Sequence, residues 1–130
     1  SLAVAALGMN EEKLFNDLNT FGFIFEALCE HDLRIYAEAS GGRMYHYRDG
    51  KDNEMDAVVE MHDGSWGAFE IKLGADKIDD GAKNLLRISK LLAGNGAATP
   101  KVLCVICGMT KYAYRRPDGV YVVPITALRD

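Results

Sequence analysis

Two stretches of the chain alternate with period two. Over 54–61, Met55, Ala57, Val59 and Met61 fall on one side, and Glu54, Asp56, Val58 and Glu60 on the other. Over 65–73, Gly67, Phe69, Ile71 and Leu73 lie opposite Trp66, Ala68, Glu70 and Lys72. Such alternation marks strands with one face turned to a core, and His62-Asp63-Gly64 is a turn signal, so the two stretches predict a hairpin. Upstream, Asn10 with Glu11 and Glu12 offers a cap and an acidic first turn, and Thr20 offers a second helix start. The apolar spacing over 21–39 predicts the main helix, closed by Gly41 and Gly42. Residues 43–48 predict a short strand stopped by Asp49-Gly50-Lys51-Asp52-Asn53. Downstream, Ile78, Leu85, Leu86, Ile88, Leu91 and Leu92 form an apolar stripe on a helix over 76–93. After the loop 94–100, the run over 101–108 is apolar on both faces, as in a fully buried strand. The chain closes with a predicted hairpin, 111–115 and 120–123, about Arg116-Pro117-Asp118-Gly119.

This order predicts an α/β fold, a mixed sheet flanked by helices. At 130 residues the chain fits one domain, 1–130, with its own core. With 48% hydrophobic and 26% charged residues the composition is that of a globular protein. No apolar run approaches the ~18 residues of a membrane helix, so no membrane partner is expected. Residues 1–8 are apolar but lack the positive start of a signal peptide. They read as a helix entered partway, so the chain is expected to be the C-terminal part of a longer protein.

The net charge of −4 argues against tight non-specific phosphate binding, although an acidic metal site would partly mask a basic surface. Cys29, Cys104 and Cys107 are odd in number, which points to a reducing compartment and a cytoplasmic location. Cys104-Val-Ile-Cys107 has redox or zinc spacing, yet residues three apart on a strand face opposite ways. With no second ligand pair, these read as core cysteines.

The chemistry lies in Glu54-Met-Asp56 and Glu70-Ile-Lys72. Two carboxylates and a lysine on the polar faces of adjacent strands would make a divalent-metal site beside a water-activating amine. Register decides whether they meet. A two-residue turn sends the acids to opposite faces. A three-residue turn, His62-Asp63-Gly64 with the glycine left-handed, pairs Met61 with Ser65, and so Asp56 with Glu70 and Glu54 with Lys72. The bland alternative is a solvated face of cross-strand ion pairs, each worth about 0–1 kcal/mol. Trp66, Ala68 and Val58 share that face, which argues that it is covered. Glu26 falls on the apolar side of the main helix near Phe23, Cys29 and Leu33 and therefore needs a partner. Arg34 or Arg48 would serve, as would a metal or Lys72.

In their order and spacing, Gly22-Phe-Ile-Phe-Glu26, Tyr45-His-Tyr-Arg48-Asp-Gly50, Glu54-Met-Asp56, Phe69-Glu-Ile-Lys72 and Gly119-Val-Tyr-Val-Val-Pro124 resemble the C-terminal domain of a bacterial and archaeal AAA+-type ATPase family. That domain, of unknown function, is related to the PD-(D/E)XK, restriction-endonuclease-like folds, and the resemblance runs from 2 to about 128. It implies an αβββαβ core. It also implies a site in which Asp56, Glu70 and the Ile71 carbonyl hold Mg²⁺ or Mn²⁺, Lys72 activates water, and Glu26 binds a second metal or a metal-bound water. Methionine stands where valine is common between Glu54 and Asp56, and no Gln-x-x-x-Tyr element occurs on the second helix, where Asn84 is the nearest polar residue.

The expected function is metal-dependent hydrolysis of DNA phosphodiesters by the C-terminal module of an ATPase, with the N-terminal ATPase module of the same polypeptide as partner. The alternative is a catalytically quiet module that binds nucleic acid or protein and regulates the ATPase. Lys83, Arg87 and Lys90 form one basic helix stripe that would touch a nucleic-acid backbone, or else a solvated face. Arg115 and Arg116 are weaker candidates. His31, His46 and His62 lack ligand spacing and read as surface or turn residues. A homodimer would use the exposed edge of the last hairpin. No G-x-x-x-x-G-K-[ST] occurs, so ATP is not bound in that manner.

Overall fold

The computed structural model describes residues 18–125, with side chains from Glu26 onward. The apolar stretch 1–8 and the helix expected from Asn10 lie outside them. The elements are α1 (Leu18–Ala39), β1 (Arg43–Arg48), β2 (Glu54–Glu60), β3 (Trp66–Lys72), a 3₁₀ turn (Ala75–Lys77), α2 (Ile78–Gly94), β4 (Val102–Cys107), β5 (Tyr114–Arg115) and β6 (Tyr121–Pro124). The expected αβββαβ order is present. The fold is a mixed six-stranded sheet of order β1-β2-β3-β4-β6-β5, with two helices. β1, β2 and β3 are antiparallel neighbours, whereas β3, β4 and β6 run parallel.

Helix α1 turns Cys29, Leu33 and Ala37, spaced four residues apart, onto Met44, Ala57, Ile71, Cys104 and Ile106. It stops where Gly41 takes φ +80° and the Gly42 N–H donates to the Ala37 carbonyl at 2.8 Å. On the other face, α2 lays Ile78, Ala82, Leu85 and Ile88 over Val58, Trp66, Ala68, Val105 and Val122. α2 is thus the cover that Trp66, Ala68 and Val58 had implied. β4 lies between both layers and is buried from Cys104 to Cys107. Cys104 belongs to the α1 layer and Cys107 to the α2 layer, so the sulfurs diverge as expected. Burial pushes the Cys104 thiol up to about 12, which makes it an inert core group.

Three expectations need correction. Leu91 lies outside the apolar stripe, 41% exposed, and Ser89 takes a buried place instead. The last hairpin is shorter than expected, with β5 limited to Tyr114 and Arg115. The third concerns β2, whose alternation is not continuous. Tyr45 pairs with Val58 but Tyr47 pairs with Met55, so β2 advances three residues while β1 advances two. This bulge swings Met55 into the α2 layer, while Ala57 stays in the α1 layer.

Candidate active site

The three-residue turn forms as required: Met61 N–H donates to Ser65 O at 2.8 Å, Gly64 N–H to Met61 O at 3.0 Å, and Gly64 has φ +87°. Register then carries the β2–β3 ladder as far as Ala57 with Phe69. At the next rung the bulge removes the backbone partner. Ile71 N–H donates instead to Asp56 Oδ2 at 2.7 Å, and Asp56 N–H donates to Glu70 Oε2 at a longer 3.4 Å. Side chains replace the missing rung, and the two carboxylates converge there. In an extended strand a residue's N–H and C=O point the same way, so the Ile71 carbonyl also faces β2 beside Asp56.

Glu70 is 4% exposed. Burial raises its pKa, as do a hydrogen bond with Asp56 and the charge of Asp56, and together they carry it up to about 8 against the opposing pull of Asn84 and Lys72. The physical cause is that two adjacent carboxylates away from water resist both being charged without a cation. Glu26, half-buried on α1, is also raised, first by burial and then by Asp56 and Glu30, while Lys72 and His46 pull it down. Glu30 is raised by burial and by Asp56.

Arg34 and Arg48, the alternative partners for Glu26, are engaged elsewhere: Arg34 Nη1 donates to Met44 O at 3.2 Å, and Arg48 lies 3.6 Å from Asp52. Glu26 thus belongs to the electrostatic surroundings of Asp56 and Lys72. It does not line the cleft in front of them, a volume of about 250 Å³ walled by Asp52, Glu54, Asp56, Glu70, Lys72 and Asn84.

Lys72 occupies the last position of β3, where its carbonyl accepts the Gly108 N–H at 3.0 Å. Its stem passes close under α2. A Cβ added to Gly81 would stand 3.4 Å from Lys72 Cε and 3.4 Å from Glu70 Cβ, so glycine lets the helix approach at this point.

The expected pairing of Glu54 with Lys72 does not form. Glu54 sits opposite Arg48 at the far side of the bulge and takes His46 Nε2 at 3.2 Å. His46 is exposed, as expected, and also reaches the Asp56 carbonyl through Nδ1 at 3.3 Å, so it borders the site from the surface. No spacing signalled this, since His46 and Asp56 lie on different strands. Asn84, the nearest polar residue on the second helix, turns into the cleft and donates to both Glu70 Oε1 and the Glu54 carbonyl.

The basic stripe is largely engaged. Lys83 pairs with Asp79 at 2.9 Å, Arg87 is held by Asn53 and Asn84, and Lys90 is exposed. Arg116 is bound to Asp79 and Asp118, while the Arg115 guanidinium lies over the Tyr121 ring.

Among the described residues no three Asp, Glu, His or Cys side chains gather closely enough to enclose a metal. Asp56 and Glu70 nevertheless offer hard oxygen donors at an open cleft, and Mg²⁺ is commonly held by one or two carboxylates with water filling its shell. The donor set fits such an ion. A closed, all-protein site of the zinc type is not present among these residues.

Residues 21–128 match the family model described as Domain of unknown function (DUF4143). The chain belongs to that family. No curated protein and no solved structure matches it. No helix of the described residues is long and apolar enough to cross a membrane.

Proposed function

We propose that this member of a family of unknown function carries a PD-(D/E)XK, restriction-endonuclease-like site for Mg²⁺- or Mn²⁺-dependent hydrolysis of DNA phosphodiesters. In this reading it works in the cytoplasm as the C-terminal module of an AAA+-type ATPase. The observation that carries the reading is the convergence of Asp56 and Glu70 at the interrupted rung, with Lys72 beside them. Asp52, Glu54, Asp56 and Glu70 surround one lysine, so the bare cleft repels a phosphodiester. A divalent cation would offset most of that local negative charge and stabilise charge developing on the phosphate. Asp56, Glu70 and the Ile71 carbonyl would hold it. Lys72 would orient the attacking water and take part in removing its proton, and Glu26 would tune the charge behind Asp56. Metal-dependent nicking of DNA that EDTA stops and Lys72→Ala abolishes is the expected result. Failure of the folded chain to bind Mn²⁺ in calorimetry would refute the reading.

A second reading, a catalytically quiet module that regulates the ATPase by binding nucleic acid or protein, is favoured by one observation. Lys83 is already paired with Asp79 and the Arg87 guanidinium is tied to Asn53 and Asn84, which leaves little of either cation available to a phosphate near the cleft. It predicts binding that survives Lys72→Ala without any cleavage.

A further inference from the structure

A chain of hydrogen bonds runs from the β1–β2 loop through Arg87 and Asn84 to Glu70. Asp49 anchors it: Oδ1 accepts the N–H groups of Lys51 and Asn53 at 2.8 and 3.1 Å, and Oδ2 accepts Asn53 Nδ2 at 3.0 Å. That leaves Asn53 Oδ1 free to accept Arg87 Nη1 at 2.6 Å. The second arm of the same guanidinium, Nη2, donates to Asn84 Oδ1 at 2.9 Å. Asn84 then uses its amide nitrogen on Glu70 Oε1 and, at 2.9 Å, on the Glu54 carbonyl. Asn84 has its oxygen and both of its N–H donors engaged, so the amide has one orientation and cannot flip without breaking every contact. The chain spans both sides of the bulge, since Asn53 and Glu54 precede Asp56 while Asn84 reaches across to Glu70.

We infer that Arg87 and Asn84 are positioning residues: together they clasp the β1–β2 loop to α2 and hold the Glu70 carboxylate facing Asp56 in the geometry that receives a divalent cation. The inference rests on the metal-site reading above and deepens it. It also reassigns Arg87 from a nucleic-acid contact to a support of the site. The guanidinium is needed for its fork: two separate nitrogens reach two acceptors on different elements, which a lysine ammonium cannot reproduce at both. Partners that orient a metal ligand change affinity by about 10–100-fold when removed.

The test is Mn²⁺ titration calorimetry on the whole 130-residue chain as wild type, Asn84→Ala, Arg87→Ala and Arg87→Lys, with the melting temperature of each recorded alongside. The expected result is Mn²⁺ affinity weakened about 10–100-fold in all three variants, including Arg87→Lys, with cooperative melting retained. A residue with a merely structural role would lower the melting temperature and leave the affinity of the folded fraction at the wild-type value, and that outcome overturns the inference. Wild-type affinity in Arg87→Lys overturns the fork argument by showing that charge alone suffices. If the wild type itself binds no Mn²⁺, the proposed function and this inference fall together; if the wild type binds and Asn84→Ala binds equally well, only the inference falls.

Discussion

The two halves of the sheet share β3 and do different things. In the parallel half, β3, β4 and β6 keep register from end to end, and β4 is buried on both faces. In the antiparallel half, β1 and β2 slip by a residue and the β2–β3 ladder ends at Ala57. A backbone N–H left without its ladder partner must find another acceptor or pay the cost of burial. At Ile71 that acceptor is the Asp56 carboxylate, and Glu70 receives the Asp56 N–H in turn. Regularity builds the core, and the one break in it collects the acids.

The largest effect separating the halves is expected on the regular side. Leu85→Ala removes a fully buried side chain of α2 over the sheet, at a cost of about 2–5 kcal/mol in denaturant unfolding. Mn²⁺ affinity of the folded fraction should be unchanged. Asp56→Ala is next. It leaves the Ile71 N–H without its acceptor, at about 1–3 kcal/mol, and removes cation binding altogether. If Leu85→Ala weakened Mn²⁺ binding as much as Asp56→Ala does, the division of labour between the halves would be wrong.

Glu70 makes the antiparallel half sensitive to pH. Its pKa is raised to about 8 in the folded chain, against an ordinary value of 4.5. Over that window the folded chain binds more protons than the unfolded one, so stability falls as pH rises. The contribution is fully present below the unfolded pKa and lost as pH climbs through the folded one. Glu70→Gln, which mimics the protonated acid, should flatten this fall and melt higher than wild type above about pH 8. A melting series from acid to alkaline pH reads it directly, and parallel curves for the two proteins would contradict the account. The smallest effect belongs to the turn: Gly64→Ala places a side chain at φ +87° with nothing within 4 Å, so only backbone strain of about 1 kcal/mol is expected.

Much of this was legible in the residues. Both helices and the β2–β3 hairpin follow from periodicity, β4 from its unbroken apolar run, and the odd-length turn from Gly64, whereas the last hairpin is shorter than its sequence suggests. The turn alone implied that Asp56 and Glu70 share a rung, and Trp66, Ala68 and Val58 implied the cover. The bulge was not legible, because Met55 and Ala57 are apolar and both layers of the sheet are buried. Either face accepts Met55, so hydropathy does not register the slip. Nor was His46, since it reaches the site from another strand; Asn84 stood out as the nearest polar residue of the second helix, but its contacts with Glu70 and Glu54 are not encoded by spacing along the chain. Arg87 looked like a surface cation for a similar reason: Asn53, its acceptor, lies 34 residues away.

In the proposed function the interrupted rung is a cation site at which a proton and the metal compete. Mn²⁺ titration calorimetry near pH 7 in buffers of different ionisation enthalpy tests it most directly. One ion is expected to bind per chain, with close to one proton released from the Asp56–Glu70 pair, and both should be lost in Asp56→Asn. Binding that persists unchanged in Asp56→Asn, or no binding by the folded wild type, would contradict it.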